Sequence, residues 1–244
     1  MQSLLLGGGG HRPEPRRTVF IKAMQDFLGK AVDRILFIPY ALENYDKHIE
    51  IIRELGLDAG YHIEGIHLSE NPFDAVAEAR AIYVGGGNTF RLLHTLHQKG
   101  LVSTIRTFVQ KGKPYIGVSA GTNIVCPTIA TTNDMPIVWP QDLRALDLVP
   151  FQINPHFVSG TAHYMVDGTL IPYAGETRED RLREYHEMND RPILAMSEGS
   201  ILRVENRTVS LIGDTSRARL FQKGQGPRDY TPSDNLDFLF SSFS

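Results

Sequence analysis

The chain has 244 residues, a formal net charge of −3 and one cysteine, Cys126. We expect one domain over 1–244, because this length can bury a sizeable core. The charge gives no reason to expect nucleic acid as a partner, and no apolar run reaches the ~20 residues that span a membrane. A lone cysteine excludes an intrachain disulfide and a zinc–thiolate cluster. The N-terminus lacks the features of a signal peptide, so we expect a soluble, cytoplasmic protein.

Apolar runs of strand length alternate with segments of helical periodicity in the first half of the chain. The pattern predicts strands at 3–6, 34–40, 61–68, 81–84 and 114–118. It predicts helices between them at 18–27, 46–55, 72–79 and 89–110, the last broken at Gly100. Continuous apolar strands alternating with helices are typical of a parallel sheet covered on both faces. The predicted fold class is therefore α/β, with a mostly parallel central sheet and helices on both faces.

Beyond residue 190 the pattern changes to short strands joined by tight turns. The segments RPILAMSEG, SILRVENRTVSLIGD and RARLFQ predict a short antiparallel extension of the same sheet, or a small flap. The tail, 223–244, is rich in Gly, Pro and Ser before it becomes apolar. We expect the tail either to be loosely ordered or to dock through Leu236, Phe238, Leu239 and Phe240.

The segment YIGVSAGTN (115–123) places Ser119 between an apolar run and small residues, with a glycine two positions to either side. This pattern matches a nucleophile elbow, a sharp turn that raises a hydroxyl above the end of a sheet. A serine in an ordinary turn is the alternative. Both Ser119 and VGGGN (84–88) fall at predicted strand ends, where ligands bind in such sheets. This coincidence favours a catalytic serine.

A serine nucleophile needs a base, and the nine histidines supply the candidates. Four of them lie in polar, helical surroundings typical of solvated side chains: His48, His94, His97 and His186. His156 differs, because FQINPHFV predicts a strand that ends at Pro155, directly before it. The residues alone leave a structural and a catalytic role for His156 equally open.

A third group must hold the imidazole in its productive tautomer, and two acids are candidates. Asp134 lies in the polar turn TTNDMPIV, and Glu198 follows a predicted strand in AMSEGS. An Asx-turn residue and a solvated hairpin acid are the respective structural alternatives. The local patterns do not decide between the two carboxylates.

Five segments are informative when taken together: VGGGNTF (84–90), GVSAGTN (117–123), CPTIATTNDMPIV (126–138), FQINPHF (151–157) and GETRE (175–179). They resemble the peptidase E family, the aspartyl dipeptidases among the serine peptidases, whose fold is similar to class I glutamine amidotransferases. Their order and approximate spacing match, and the similarity runs from the first strand to about residue 213. The resemblance implies hydrolysis of dipeptides with an N-terminal aspartate (Asp-X), without a metal or organic cofactor.

The resemblance also implies roles for individual residues. Ser119 matches the nucleophile and His156 the general base. Asp134 matches the acid usually assigned to the charge relay, whereas Glu198 matches an acid proposed for the same role on structural grounds. Arg178, in GETRE, matches the basic residue that receives the aspartyl side chain. From the residues alone, a solvated helical face in GETREDRLRE is the favoured interpretation of Arg178, with i,i+4 pairs such as Glu179 and Arg183.

Amide hydrolysis by serine also needs preorganised donors for the oxyanion. An elbow supplies the backbone N–H of Ala120, and we expect a second donor from Gly86 or Gly87. A site restricted to N-terminal residues must also satisfy the free ammonium of the substrate. Glu176 is the candidate acid for that group.

Three rival functions remain open. A related serine peptidase of the cyanophycinase type, acting on β-aspartyl linkages, would use the same nucleophile. A glutamine amidotransferase-like hydrolase should carry cysteine at the elbow, yet Cys126 lies seven residues after Ser119. A non-catalytic binding module on this fold predicts a decayed triad, although all candidate residues are present. The expected partner is a small peptide, and a homodimer is compatible with the sequence.

Overall fold

The computed structural model describes residues 2–161 and 163–241, and its first half follows the predicted alternation. The strands are β1 (Ser3–Gly7), β2 (Arg34–Ile38), β3 (His62–Gly65), β4 (Ile82–Val84) and β5 (Tyr115–Val118). The helices are α1 (Arg16–Leu28), α2 (Tyr45–Glu54), α3 (Pro72–Glu78), α4 (Thr89–Gln98) and α5 (Leu101–Gln110). Gly100 adopts a left-handed φ of 66° between α4 and α5, at the predicted break.

The central sheet has seven strands, five parallel and two antiparallel. The two antiparallel strands are β10 (Ile201–Glu205) and β11 (Thr208–Ile212). The strand order is β11-β10-β1-β5-β4-β2-β3, and β1 pairs in parallel with β5 and antiparallel with β10. The predicted fold class, an α/β fold with a mostly parallel sheet and a short antiparallel extension, is confirmed.

Helices bury both faces of the middle of this sheet, which explains why β1, β2, β4 and β5 are mostly apolar and buried. Successive side chains of a strand point to opposite faces. In β1, Leu4 and Leu6 therefore join the core under α3, α4 and α5, whereas Leu5 joins the core under α1 and α2. Phe20 and Phe37 are fully buried in the second of these cores.

A second, four-stranded sheet was not predicted from the sequence. It has the order β13-β12-β9-β6 and contains β6 (Gln152–Phe157), β9 (Ile193–Ser197), β12 (Ala218–Phe221) and β13 (Arg228–Tyr230). Among the described residues, only the β10–β11 hairpin extends the central sheet, and Asn206 lies at its turn with a φ of 60°. Strand patterns are local, whereas the choice of a partner strand depends on long-range packing.

The other described elements are α6 (Ala120–Asn123), the hairpin of β7 (His163–Val166) and β8 (Thr169–Pro172), α7 (Arg178–Met188), and two short 3-10 helices at Ile66–Leu68 and Asp237–Phe240. In the described part of the tail, Leu236 and Leu239 are fully buried and belong to the main hydrophobic core. Residues 242–244 lie outside the described residues. In the ranges that the structure describes, no helix combines the length and apolar character needed to cross a membrane.

Candidate active site

Ser119 lies in a strained turn between β5 and α6, with φ 55° and ψ −107°. Gly117 and Gly121 flank it where the chain folds back on itself. A β-carbon on Gly117 would collide with the carbonyl of Gly121, and one on Gly121 with the carbonyl of Val84. The Ser119 N–H donates to the carbonyl of Gly7 at 3.0 Å. This is the geometry of a nucleophile elbow at the carboxyl end of the sheet.

His156 reaches the serine from β6. Its Nε2 atom lies 2.8 Å from Ser119 Oγ. The predicted strand end at Pro155 is wrong, because β6 continues to Phe157 with a register shift between Asn154 and Phe157. His156 has a φ of 55° within this irregularity, and such local kinks redirect side chains near functional sites.

Glu198, which directly follows β9, accepts a hydrogen bond from the other side of the imidazole. Its Oε1 atom lies 3.1 Å from His156 Nδ1, and its Oε2 atom 3.2 Å from Arg16 Nη1. The hydrogen bond from His156 is the largest cause that lowers the pKa of Glu198, and Arg16 adds to it. An ionised Glu198 favours the proton on Nδ1, which leaves Nε2 free to accept the serine proton.

Asp134 lies elsewhere, at the start of α4. Its Oδ2 atom accepts from the Thr89 N–H at 2.7 Å and from Thr89 Oγ1 at 2.6 Å. A carboxylate is favourable there, because the first N–H groups of a helix lack partners within it. The structure therefore brings Ser119, His156 and Glu198 together and does not bring Asp134 to the imidazole.

Three backbone N–H groups near Ser119 fit the predicted oxyanion donors. Within the described residues, the N–H groups of Gly86, Gly87 and Ala120 donate no hydrogen bond. Ala120 is the first residue of α6. A β-carbon on Gly86 would lie 3.2 Å from Ser119 Cβ, so its backbone runs directly beside the nucleophile. Free donors at this position can receive developing negative charge.

Arg178, the first residue of α7, is half-buried and lines a surface cavity of about 320 Å³. In the described parts of the chain its guanidinium makes no hydrogen bond or ion pair. Burial is the largest cause that lowers the Arg178 pKa, Arg181 adds to it, and the charge of Asp134 opposes it. Glu176 lines the same cavity, is exposed, and lies 3.6 Å from Arg181 in an ion pair.

A second cavity, of about 380 Å³, lies directly beside Ser119, His156 and Glu198. One of its lining residues, His11, was not identified from the sequence. Its ring stacks on Phe20 at a centroid distance of 4.5 Å, and neither ring nitrogen has a hydrogen-bond partner in the described residues. Burial lowers the pKa of His11 to about 4, so the ring is neutral near pH 7.

Two histidines predicted to be solvated are buried, so that prediction is wrong for them. His48 lies on the face of α2 that packs against the sheet, with its ring centroid 5.0 Å from that of Phe37. His186 lies on the inner face of α7 and is hydrogen-bonded to the Arg191 carbonyl at 3.0 Å. His48 Nδ1 lies 3.2 Å from the carbonyl of Pro39. In both residues, therefore, a hydrogen bond from the ring to a backbone carbonyl offsets the cost of burying a polar side chain.

Cys126 is buried in the core, and burial raises the pKa of its thiol. Its Sγ atom accepts a hydrogen bond from the Ile153 N–H at 3.1 Å. A buried, protonated thiol is inert, so Cys126 has a structural role. The described residues contain no group of three or more His, Cys, Asp or Glu side chains arranged to hold a metal ion.

The fold and this constellation define a serine-type hydrolase. The sequence profile of Peptidase family S51 matches residues 3–212, and the chain belongs to this family. It is 43% identical over 225 residues to a protein named "Peptidase E" from Nostoc sp., covering 91% of this chain and 89% of that relative.

A protein from Drosophila melanogaster named "Probable alpha-aspartyl dipeptidase" is 41% identical over 217 residues, which cover 87% of this chain and 86% of that relative. The crystal structure of a peptidase from an acI-B1 Actinobacterium superposes with a TM-score of 0.67. The superposition covers 97% of this chain and 96% of that chain. Because the two sequences are only 19% identical, the similarity supports the fold and not the function.

Proposed function

We propose that the chain is a serine-type dipeptidase that hydrolyses Asp-X dipeptides with Ser119, His156 and Glu198 as its catalytic residues. The hydrogen-bonded series from Ser119 Oγ through the imidazole to Glu198 is the observation that carries the proposal. The name of the 41% identical Drosophila melanogaster relative, "Probable alpha-aspartyl dipeptidase", supports the substrate class. The rival of a non-catalytic module does not explain why two residues far apart in sequence meet at hydrogen-bond distance.

The reaction begins with attack of Ser119 Oγ on the carbonyl carbon of the aspartyl residue. His156 Nε2 takes the hydroxyl proton as the new C–O bond forms, and Glu198 stabilises the imidazolium. When the tetrahedral intermediate collapses, the imidazolium returns the proton to the leaving amine and the C–N bond breaks. Water then attacks the aspartyl ester on Ser119 while His156 takes its proton, the ester C–O bond breaks, and the imidazolium returns the proton to Ser119 Oγ as aspartate leaves.

The oxyanion of the tetrahedral intermediate would be received by the N–H of Ala120 and by that of Gly86 or Gly87. These groups have no internal acceptor in the described residues, so they need no rearrangement before they bind the developing charge. Loss of one such donor typically costs about 3 kcal/mol of transition-state stabilisation.

The aspartyl side chain would be received by Arg178. A guanidinium matches a carboxylate with two parallel hydrogen bonds. Half-burial without an ion-pair partner in the described residues leaves its donors available for a ligand. Asp134 contributes a nearby negative charge, which we infer helps to hold Arg178 in place. Glu176 remains the candidate for the substrate ammonium, although its ion pair with Arg181 would compete.

The proposal is tested by assaying the purified chain with Asp-Leu, β-Asp-Leu and Ala-Leu. We expect hydrolysis of Asp-Leu only, and labelling of Ser119 by a fluorophosphonate probe, located by peptide mass spectrometry. The Ser119→Ala variant is the control for both measurements. Preference for β-Asp-Leu would instead support the cyanophycinase-type alternative, and labelling without turnover of any dipeptide would contradict the proposed substrate class.

A further inference from the structure

The cavity beside Ser119 is lined by several side chains that have no role in the proposed mechanism. Three half-buried apolar side chains line it, namely Leu42, Ile51 and Val118. One exposed cation, Arg12, lines the same cavity. Its volume of about 380 Å³ lies at the small end of the range for ligand pockets, which suits one amino-acid residue.

The position of this cavity relative to the nucleophile identifies which part of a substrate it faces. His156 and Glu198 line it, whereas Arg178 lines the other cavity. Because His156 returns the proton to the leaving amine, the leaving residue must lie on the His156 side of the scissile bond. The cavity is therefore on the leaving side, and Arg178 is on the side of the aspartyl residue.

Arg12 differs from the two other arginines in its neighbourhood. Arg16 is paired with Glu198 at 3.2 Å, and Arg17 with Glu14 at 2.9 Å. Within the described residues Arg12 makes no hydrogen bond or ion pair. Burial is the largest cause that lowers the pKa of the cavity residue His48, and the nearby charge of Arg12 adds to it. An unpaired guanidinium on the leaving side complements the free α-carboxylate that only the last residue of a peptide carries.

We infer that this cavity is the subsite for the second residue of the dipeptide. Leu42, Ile51 and Val118 contact a large apolar side chain such as leucine or phenylalanine, and Arg12 binds the terminal carboxylate. The inference rests on the proposed function and adds the preference at the second position. It also gives a reason for cleavage of dipeptides over longer chains, since a third residue replaces that carboxylate with an uncharged amide.

The apolar part is tested by measuring kcat/KM for Asp-Gly and Asp-Leu. Burial of the leucine side chain raises kcat/KM of the wild-type chain by about tenfold or more over Asp-Gly. Ile51→Trp fills the cavity from α2 and lowers kcat/KM for Asp-Leu far more than for Asp-Gly, so that the ratio between the two substrates falls to about one. Glu54→Trp is the matched control, because Glu54 is exposed on the same helix and does not line the cavity.

The charged part is tested with Asp-Leu and its C-terminal amide. Arg12→Ala lowers kcat/KM for Asp-Leu by about tenfold, the low end expected for a charge-assisted hydrogen bond at an exposed site. The loss on the amide is much smaller, because the amide has no carboxylate to bind, so the ratio of kcat/KM between the two substrates falls. Arg17→Ala, which removes a neighbouring arginine that does not line the cavity, keeps the wild-type ratio.

The outcomes separate this inference from the proposed function. Absence of hydrolysis with every Asp-X dipeptide overturns the proposed function itself. Hydrolysis of Asp-Gly and Asp-Leu by the wild-type chain with equal kcat/KM overturns the apolar subsite and leaves the function standing. An equal loss on Asp-Leu and its amide in Arg12→Ala overturns the role of Arg12. Arg12 is exposed, so this second variant tests the subsite without disturbing the core.

Discussion

His156 Nε2 lies 2.8 Å from Ser119 Oγ, and both residues have a φ of 55°, which non-glycine residues rarely adopt. Such backbone strain costs about 1–3 kcal/mol per residue and persists only where the surroundings hold it. At the elbow, Thr122 Oγ1 lies within hydrogen-bond distance of the carbonyls of Gly7 and Gly117, at 2.8 and 2.9 Å, and its one proton is donated to either. At His156, the backbone N–H donates to the Gly8 carbonyl at 2.8 Å. Gly7 and Gly8, at the C-terminal end of β1, thus hold both strained residues in place through their carbonyls.

The first prediction concerns this pair as one unit. Ser119→Ala should reduce hydrolysis of Asp-Leu to a few per cent or less while leaving the fold intact, because it removes one hydroxyl from a half-buried position. His156→Ala should do the same. Since nucleophile and base act together, we expect the double variant to be no slower than either single variant. Measured kcat values for the three variants test this, and a much slower double variant would contradict joint action.

The second prediction separates the two acids by which kinetic parameter changes. Glu198→Gln should lower kcat by roughly 10²-fold or more, because the imidazolium loses its charged partner. Asp134→Asn should leave kcat within about threefold and raise KM for Asp-Leu, because it removes a charge near Arg178 and not near the reacting atoms. Steady-state kinetics of both variants decide the question. A large fall in kcat for Asp134→Asn alone would return the triad role to Asp134.

The choice between these acids shows what the sequence could and could not predict. Hydrophobic periodicity was sufficient to predict the parallel sheet, and the glycine spacing was sufficient to predict the serine at the carboxyl end of its strands. The position of Glu198 depends instead on the parallel pairing of β9 with β6, in which Ser197 is opposite Phe157. That pairing places the residue after Ser197 beside His156, and no local pattern encodes it. Asp134 is equally polar, but its partner Thr89 lies 45 residues away.

His11 was missed for a related reason. A histidine in GGGGHRPEPRR has the composition of an exposed loop, and only the packing of α1 places its ring on Phe20. Conversely, the sequence could not show which of the four histidines in helical segments are exposed. His48 lies on the buried face of α2 and His186 on the buried face of α7. Burial of single polar side chains follows from the orientation of whole elements.

The third prediction tests the elbow through its glycines. Gly121→Ala places a methyl group against the Val84 carbonyl, so α6 must move away from β4. We expect a loss of about 1–3 kcal/mol in the free energy of unfolding. We also expect a fall in kcat of roughly 10²-fold, as small displacements of a nucleophile produce. Gly226→Ala is the control, because nothing lies within 4 Å of its added β-carbon. Unchanged kcat in Gly121→Ala would contradict a rigid elbow.

The fourth prediction follows from the buried ring of His11. Burial lowers its pKa from an ordinary 6.5 to about 4, so between these pH values the unfolded chain binds more protons than the folded chain. Stability therefore rises with pH across this window and is lost as the pH falls, by up to about 3 kcal/mol from this group. His11→Leu should remove that contribution. Chemical unfolding at pH 4.5 and pH 7 compares the two proteins, and identical pH dependence would contradict the burial of a neutral ring.

The last prediction concerns Arg178 and recognition of the aspartyl side chain of the substrate. If its guanidinium pairs with the aspartyl carboxylate in a half-buried position, removing it leaves that charge poorly solvated, at a cost of a few kcal/mol. Arg178→Ala should therefore lower kcat/KM for Asp-Leu by about two orders of magnitude or more. Lysine should restore little, because a point charge cannot reproduce the two parallel hydrogen bonds.

The substrate comparison shows whether the effect of Arg178→Ala is recognition of charge. Activity on Asn-Leu should fall far less than activity on Asp-Leu, since no carboxylate is lost with that substrate. Arg181→Ala is the matched control, because Arg181 lines the same cavity but is already paired with Glu176. We measure kcat/KM for both dipeptides with all three variants. Equal losses on the two substrates would mean that Arg178 supports the shape of the pocket, and that another residue binds the aspartyl side chain.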